Sequence, residues 1–227
     1  MRSVTVALFA ALASGLAACS SGNTMLVQLG ELAVDSVFEE EPAGETVEPT
    51  REDLNQIPFS TLALTRAGLP TRGFAVAIAD NGGYVTYQDP SGRSVIFRGG
   101  LLTGTRGFGF DMAAVRHQVD DPVITPTPVA DWPATIARNY QFWLEAAADY
   151  EITVQCVVEF VARETVEIVE INFDLARIQE RCGNGTRTFT NTYWVDPDSG
   201  QIWKSEQWAG PRIEPFIIEV VRPYAAS

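Results

Sequence analysis

Few side chains in this 227-residue sequence have types and spacings suited to chemistry. There is one histidine, His117, three cysteines at positions 19, 156 and 182, and adjacent acidic pairs such as Glu39-Glu40 and Asp120-Asp121. His117 stands in VRHQVDDP without a nucleophile motif or a second ligand beside it, so it reads as a surface residue. Neither a G-x-S-x-G elbow nor a P-loop occurs in the sequence. Cys156 shares an apolar strand face with Ile152, Val154, Val158 and Phe160. Apolar surroundings raise a thiol's pKa and blunt its nucleophilicity. The adjacent carboxylates lack the spacing of a glycosidase pair, which must flank the scissile bond. Asp196-Pro197-Asp198-Ser199-Gly200 imitates the start of a calcium loop. Its glycine falls at the fifth position instead of the sixth, and Gln207 stands where the bidentate Glu belongs. The expectation is a protein with no catalytic residues, no metal and no cofactor.

Cys19 has a different chemistry. Met1-Arg2-Ser3 carries one positive charge, Val4 to Ala18 is apolar or small, and Leu16-Ala17-Ala18 leads directly into Cys19. Such a run is too short to span a bilayer and reads as an export signal, 1–18. Cysteine directly after it reads as a lipobox, in which the thiol is acylated and becomes the new N-terminus. Acyl anchoring contributes about 0.8 kcal/mol per buried methylene, so several chains hold firmly. Ser20 stands where retention in the inner membrane favours Asp, which points to the outer membrane, its periplasmic side rather than the cell surface.

Formal net charge is −13, and −14 once Arg2 leaves with the signal. An acidic surface repels nucleic acid and anionic headgroups. The export route permits disulfides, and Cys156 and Cys182 allow one pairing. A tight hairpin turning near Ala162-Arg163 would leave Cys182 roughly 40 Å from Cys156, at ~3.3 Å per residue. Bridging then needs a bend or another strand layout, and the pairing stays open.

Residues 24–40 have apolar residues near helical spacing, and 41–53, EPAGETVEPTRED, reads as an acidic linker. The chain thus divides into a signal (1–18), a lipidated N-terminus with helix and linker (19–56), and a β domain (57–227). Within 57–227, FSTLALT, GFAVAIA, YVTYQ, SVIFRGGLL, YEITVQCVVEF, ETVEIVEINFDLARI, TFTNTYWV, QIWKSEQ and PFIIEVV alternate as strands do. The segment 135–150 reads as strand over its first ten residues, and the Pro-rich 119–133 connects two halves of the sheet. The fold class is all-β: an antiparallel meander forming a curved sheet or barrel, with one N-terminal helix.

Three of the five tryptophans stand within 191–208, NTYWVDPDSGQIWKSEQW. With Pro197–Gly200 as the loop, Val195 faces Ile202, Trp194 faces Trp203 and Tyr193 faces Lys204. Cross-strand aromatic packing accounts for Trp194 and Trp203. The same indoles, flanked by Thr188, Thr190 and Thr192 on one strand and by Ser205 and Gln207 on the other, are candidates to stack on a sugar ring or to line a barrel. Tyr193 and Trp208, on the face shared with Ile202, are further candidate contacts.

The chain resembles the YjbF/GfcB family of group 4 capsule and exopolysaccharide lipoproteins. The resemblance rests on the Cys19 lipobox, Ile57-Pro58-Phe59-Ser60-Thr61, Ser91-Gly92-Arg93, TNTYWVDPDSGQIWKSEQ at 190–207, and Arg222-Pro223-Tyr224. It implies an outer-membrane lipoprotein with an all-β body, accessory to polymer production or export, without catalytic residues. Its implied partners are membrane lipid through acylated Cys19, and export proteins or the polysaccharide itself. A carbohydrate-binding module using Trp194 and Trp203, or a lipid carrier with an apolar lumen, are the alternatives.

Overall fold

A computed structural model describes residues 48–144 and 147–225. Met1 to Val47, with the expected signal, Cys19 and the helix over 24–40, lie outside the described residues. Among the described residues, twelve strands form one antiparallel sheet: β1 (Thr61–Arg66), β2 (Arg72–Asn81), β3 (Tyr84–Gln88), β4 (Ser94–Arg98), β5 (Leu101–Arg106), β6 (Met112–His117), β7 (Thr135–Leu144), β8 (Ala147–Ile168), β9 (Ile171–Gly183), β10 (Thr188–Val195), β11 (Ile202–Gln207) and β12 (Phe216–Arg222). The spatial order is β5-β4-β3-β2-β1-β12-β11-β10-β9-β8-β7-β6. Each strand therefore pairs with its sequence neighbour, except that β1 joins β12 at the middle and β5 does not ladder with β6.

The sheet curls into a nearly closed barrel in which the two edges, β5 and β6, meet through side chains. The buried Thr105 hydroxyl accepts Met112 N at 2.9 Å and donates to Asp111 Oδ1 at 2.9 Å. Arg106 Nη1 adds a bond to Met112 O at 3.2 Å. Edge strands left open are templates for unwanted pairing, and this seam covers them.

Alternating burial along each strand fills the inside. One interior cluster gathers residues of β6 to β10 with Trp208, and the other gathers Leu62, Tyr87, Val95, Phe97, Phe216 and Ile218 from the other half. Gln207 ties the halves across the interior, accepting Leu102 N at 2.9 Å and donating to Gly100 O at 2.8 Å.

The Pro-rich segment 118–134 runs as a strap across one end of the barrel. Gly100 N donates to Val123 O at 2.7 Å, and Val129 N donates to Pro197 O at 3.0 Å. Glycine is required at both crossings. Gly99 and Gly200 have φ of +56° and +74°, and a Cβ on either would lie 2.2 Å from strap backbone. Splitting SVIFRGGLL at this turn is a correction to the sequence reading, which ran it as one strand.

A third cluster lies outside the barrel. Helix α1 (Arg51–Gln56) presses Leu54, with the following Ile57, onto Ala63, Phe74, Val76 and Val221. Burying two such side chains contributes about 1.5–3 kcal/mol each. Its start is a capping box: Thr50 accepts Asp53 N, and the Asp53 carboxylate accepts Thr50 N. This helix corrects the reading of 41–53 as linker throughout, because Thr-x-x-Asp is a helix start that charge and proline obscure.

Candidate functional site

The two cysteines meet because the hairpin turn lies later than expected. The strand β8 runs without a break past Ala162-Arg163, and the turn to β9 is at Val169-Glu170. Cys156 is then directly opposite Cys182, and the two are joined in a buried disulfide. The 40 Å separation came from the wrong turn position, and no bend is needed.

The register at the tryptophans also differs from expectation. The loop is as read: Gly200 is left-handed, Asp196 N bonds Gln201 O at 2.8 Å, and Val195 faces Ile202. A β-bulge then intervenes, so Trp194 faces Lys204 and Tyr193 faces Ser205. Trp203 is the extra residue. The bulge reverses the phase of β11, turning Ser205 and Gln207 into the interior while Trp203 stays half-buried on the outer side. Trp194 and Trp203 therefore do not form the expected pair.

What receives both indoles is an arm, the far half of the β8–β9 hairpin. Beyond Ala176 the strand β9 has no β10 partner, and the arm leans across the outer face of β10 and β11 toward β12. Trp194 Nε1 donates to the Glu164 carboxylate, and the Trp203 ring stacks on Phe173 with centroids 4.4 Å apart. Lys204 Nζ lies 5.5 Å from the Trp194 ring centroid and 2.9 Å from Glu219 Oε1. At the tip, Arg51 donates to Val169 O at 2.9 Å, Ile168 O at 2.6 Å and Val221 O at 2.9 Å. The tip residues Val169 and Glu170 have φ of 42° and 65°. A β-branched residue in that region is strained, so the guanidinium and the packing around Val169 hold a turn that Val-Glu would not choose alone.

Tyr193 and Trp208, the other candidate contacts, are buried in the interior. Tyr193 belongs to a buried ionic network around Arg138. The guanidinium forks onto Asp121 at 2.8 and 2.9 Å on one side and onto both Glu180 oxygens on the other. All three side chains are fully buried. Glu180 also accepts from Tyr193 Oη at 3.2 Å and Asn191 Nδ2 at 3.3 Å. Burial alone would lower the Arg138 pKa, yet Glu180 and Asp121 hold it well above the ordinary value. Burial followed by the neighbouring Glu180 charge pushes the Tyr193 hydroxyl well up, so it stays protonated and donates. Through Asp121 the network pins the strap to β7 and β9. Sequence adjacency of Asp120-Asp121 hid this, since only Asp121 is buried. His117 lies at the end of β6, half-buried, with Nδ1 2.8 Å from Gln118 O.

The interior also holds a cavity of about 280 Å³ at the strap end. Its buried depth is lined by Leu62, Tyr87, Phe97, Ser205 and Ile218, and its outer part by Asp80, Gly83, Gln201 and Tyr224. Tyr224 Oη donates to Asp80 Oδ2 at 3.0 Å, which raises the tyrosine's pKa above its usual value. No single motif announces such a space, because its walls come from strands far apart in sequence.

A family model described as group 4 capsule polysaccharide lipoprotein GfcB, YjbF matches residues 12–221. The chain belongs to the YjbF family. Its fold is similar to the crystal structure of the hypothetical lipoprotein YmcC from Escherichia coli K12, at 18% identity and a TM-score of 0.71, covering 91% of this chain and 100% of that one. No curated protein is matched by the sequence. In this YjbF-family member, the string that carries the resemblance is built into the architecture. Asn191 bonds Glu180 and Trp208 N, Asp196 closes the β10–β11 loop, and Gln207 spans the barrel.

Proposed function

We propose that this protein is an accessory lipoprotein of capsule or exopolysaccharide production or export, acting by contact and without catalysis. It is held at the periplasmic side of the outer membrane through acylated Cys19. The family match over 12–221 is the observation that carries this reading. The side chains support it. The buried ionisable groups around Arg138 are bound to one another, and the sulfurs of Cys156 and Cys182 are consumed in a disulfide. What the body offers a partner is surface: an arm lying over two indoles, and the turns at the strap end.

The polymer and the export proteins remain the two partners of this reading. Stacking of a sugar ring on Trp194 and Trp203 would require the arm to lift, since Phe173 already covers one indole and Glu164 holds the other. The test is deletion of the gene in its own cell, with secreted polymer measured for amount and chain length. The proposal expects less polymer, or polymer of altered length, restored by the wild-type gene. Unchanged polymer would overturn it.

A further inference from the structure

The cavity at the strap end is a place where a ligand's chemistry can be read from the walls. Its floor is apolar, and the polar atoms that reach it are already engaged. Tyr87 Oη lies 2.9 Å from Ser60 Oγ, and Ser205 Oγ accepts Gln207 Nε2 at 2.9 Å. A sugar ring brought here would bury several hydroxyls against groups that have their partners, at a cost of roughly 1–3 kcal/mol for each hydroxyl left unpaired. Size gives the same answer: about 280 Å³ is at or below the lower end of ligand pockets, roughly 300–1,000 Å³, too small for a run of sugar rings.

Charge selects further. The rim carries the exposed carboxylate of Asp80. Lys204, the only cationic residue among the described residues lining the cavity, has its ammonium on Glu219. An anionic head at this mouth meets a like charge, while the one cation among the described lining residues is already paired with Glu219. A hydroxyl head fits the Asp80–Tyr224 pair, whose carboxylate can accept from it and whose phenol can rotate toward it.

We propose that this cavity binds the hydrocarbon chain of an uncharged, hydroxyl-bearing membrane amphiphile, tail on Leu62, Phe97 and Ile218 and head at Asp80 and Tyr224. This is a binding activity independent of the accessory role above, and either can fail without the other. The lipid anchor expected at Cys19 would keep the mouth within reach of such molecules.

The test uses the mature chain with Cys19→Ser, purified without detergent, and 1-decanol, decanoate and glucose as probes. Calorimetric titration is expected to show one site for decanol, with decanoate binding about tenfold more weakly, the effect of one like charge beside Asp80 near the surface. Methyl NMR should place the decanol-induced shifts on Ile218, Ile202 and Leu62. Val220→Trp, which fills the cavity from a half-buried wall position, should abolish binding while the protein still melts cooperatively. The methyl shifts on wild-type protein decide the matter should that variant not fold. No decanol binding, shifts confined to methyls outside the cavity, or glucose shifting the same methyls would each overturn the proposal.

Discussion

Trp194 donates its indole N–H to the carboxylate of Glu164, thirty residues earlier in the chain, fastening the β8–β9 arm to the outer face of the barrel. Glu164 is also 3.7 Å from Arg177, so one side chain serves both the indole and its own hairpin. Together with the Phe173–Trp203 stack and the three carbonyl bonds of Arg51, this makes the arm a docked element.

Undoing the dock should loosen the arm before the barrel. Trp203→Ala removes an aromatic contact of about 0.5–1.5 kcal/mol beyond its buried area. Trypsin should then cut faster at Arg163 and Arg177, with the melting temperature lowered by only a few degrees. Protection equal to wild type would show that the stack does not hold the arm.

The Arg138 network should behave in the opposite way, affecting the whole fold. Arg138→Met leaves Asp121 and Glu180 buried without their cation, a change that typically costs about 3–5 kcal/mol. Urea unfolding should show one cooperative transition at a much lower midpoint, or no folded protein. A midpoint within experimental error of wild type would mean the carboxylates take up protons or water at little cost.

The disulfide closes a loop of 26 residues' separation. Chain-entropy reasoning assigns such a loop about 3.5 kcal/mol. The double variant Cys156→Ala/Cys182→Ala should lose roughly that in urea unfolding, and reductant should shift the wild type but not the variant. Insensitivity of the wild type to reductant throughout its unfolding transition would contradict the assignment.

Asp196 provides a pH test with a defined sign. Its carboxylate accepts Ser199 N and Ser199 Oγ, each at 2.8 Å, and Asp198 N at 3.1 Å. The backbone bond from Ser199, then its hydroxyl, hold the pKa below the ordinary Asp value. A depressed folded-state pKa contributes stability that is present above the unfolded value, ~3.9, and is lost as pH falls through the folded one. The stability gap between wild type and Asp196→Asn should be constant from pH 7 to about 5 and narrow below about 4. A gap that widens on acidification would refute the sign.

The strands were largely legible in the sequence because alternation reports burial directly: Tyr84–Gln88 and Thr188–Val195 begin and end where the pattern does. What escaped it was anything decided by one residue or by distant partners. Counting residues from Gly200 gives the right loop and the right Val195–Ile202 pair, but a bulge leaves no compositional mark, so simple counting sets Trp203 opposite Trp194 where the bulge sets Lys204 there. Val169-Glu170 has no turn chemistry of its own, since Arg51 and the packing at the tip hold it from outside, so the sequence pattern points to Ala162-Arg163 instead. Asp121, Arg138 and Glu180 lie on three separate segments, and only the closed barrel makes them one site.

Contact made from a membrane anchor can be measured as secreted polymer from the deletion strain carrying either the wild-type gene or Cys19→Ser at equal protein level. Wild type should restore the polymer and Cys19→Ser should fail to, even though its body remains folded by circular dichroism. Full restoration by the unanchored protein would contradict it.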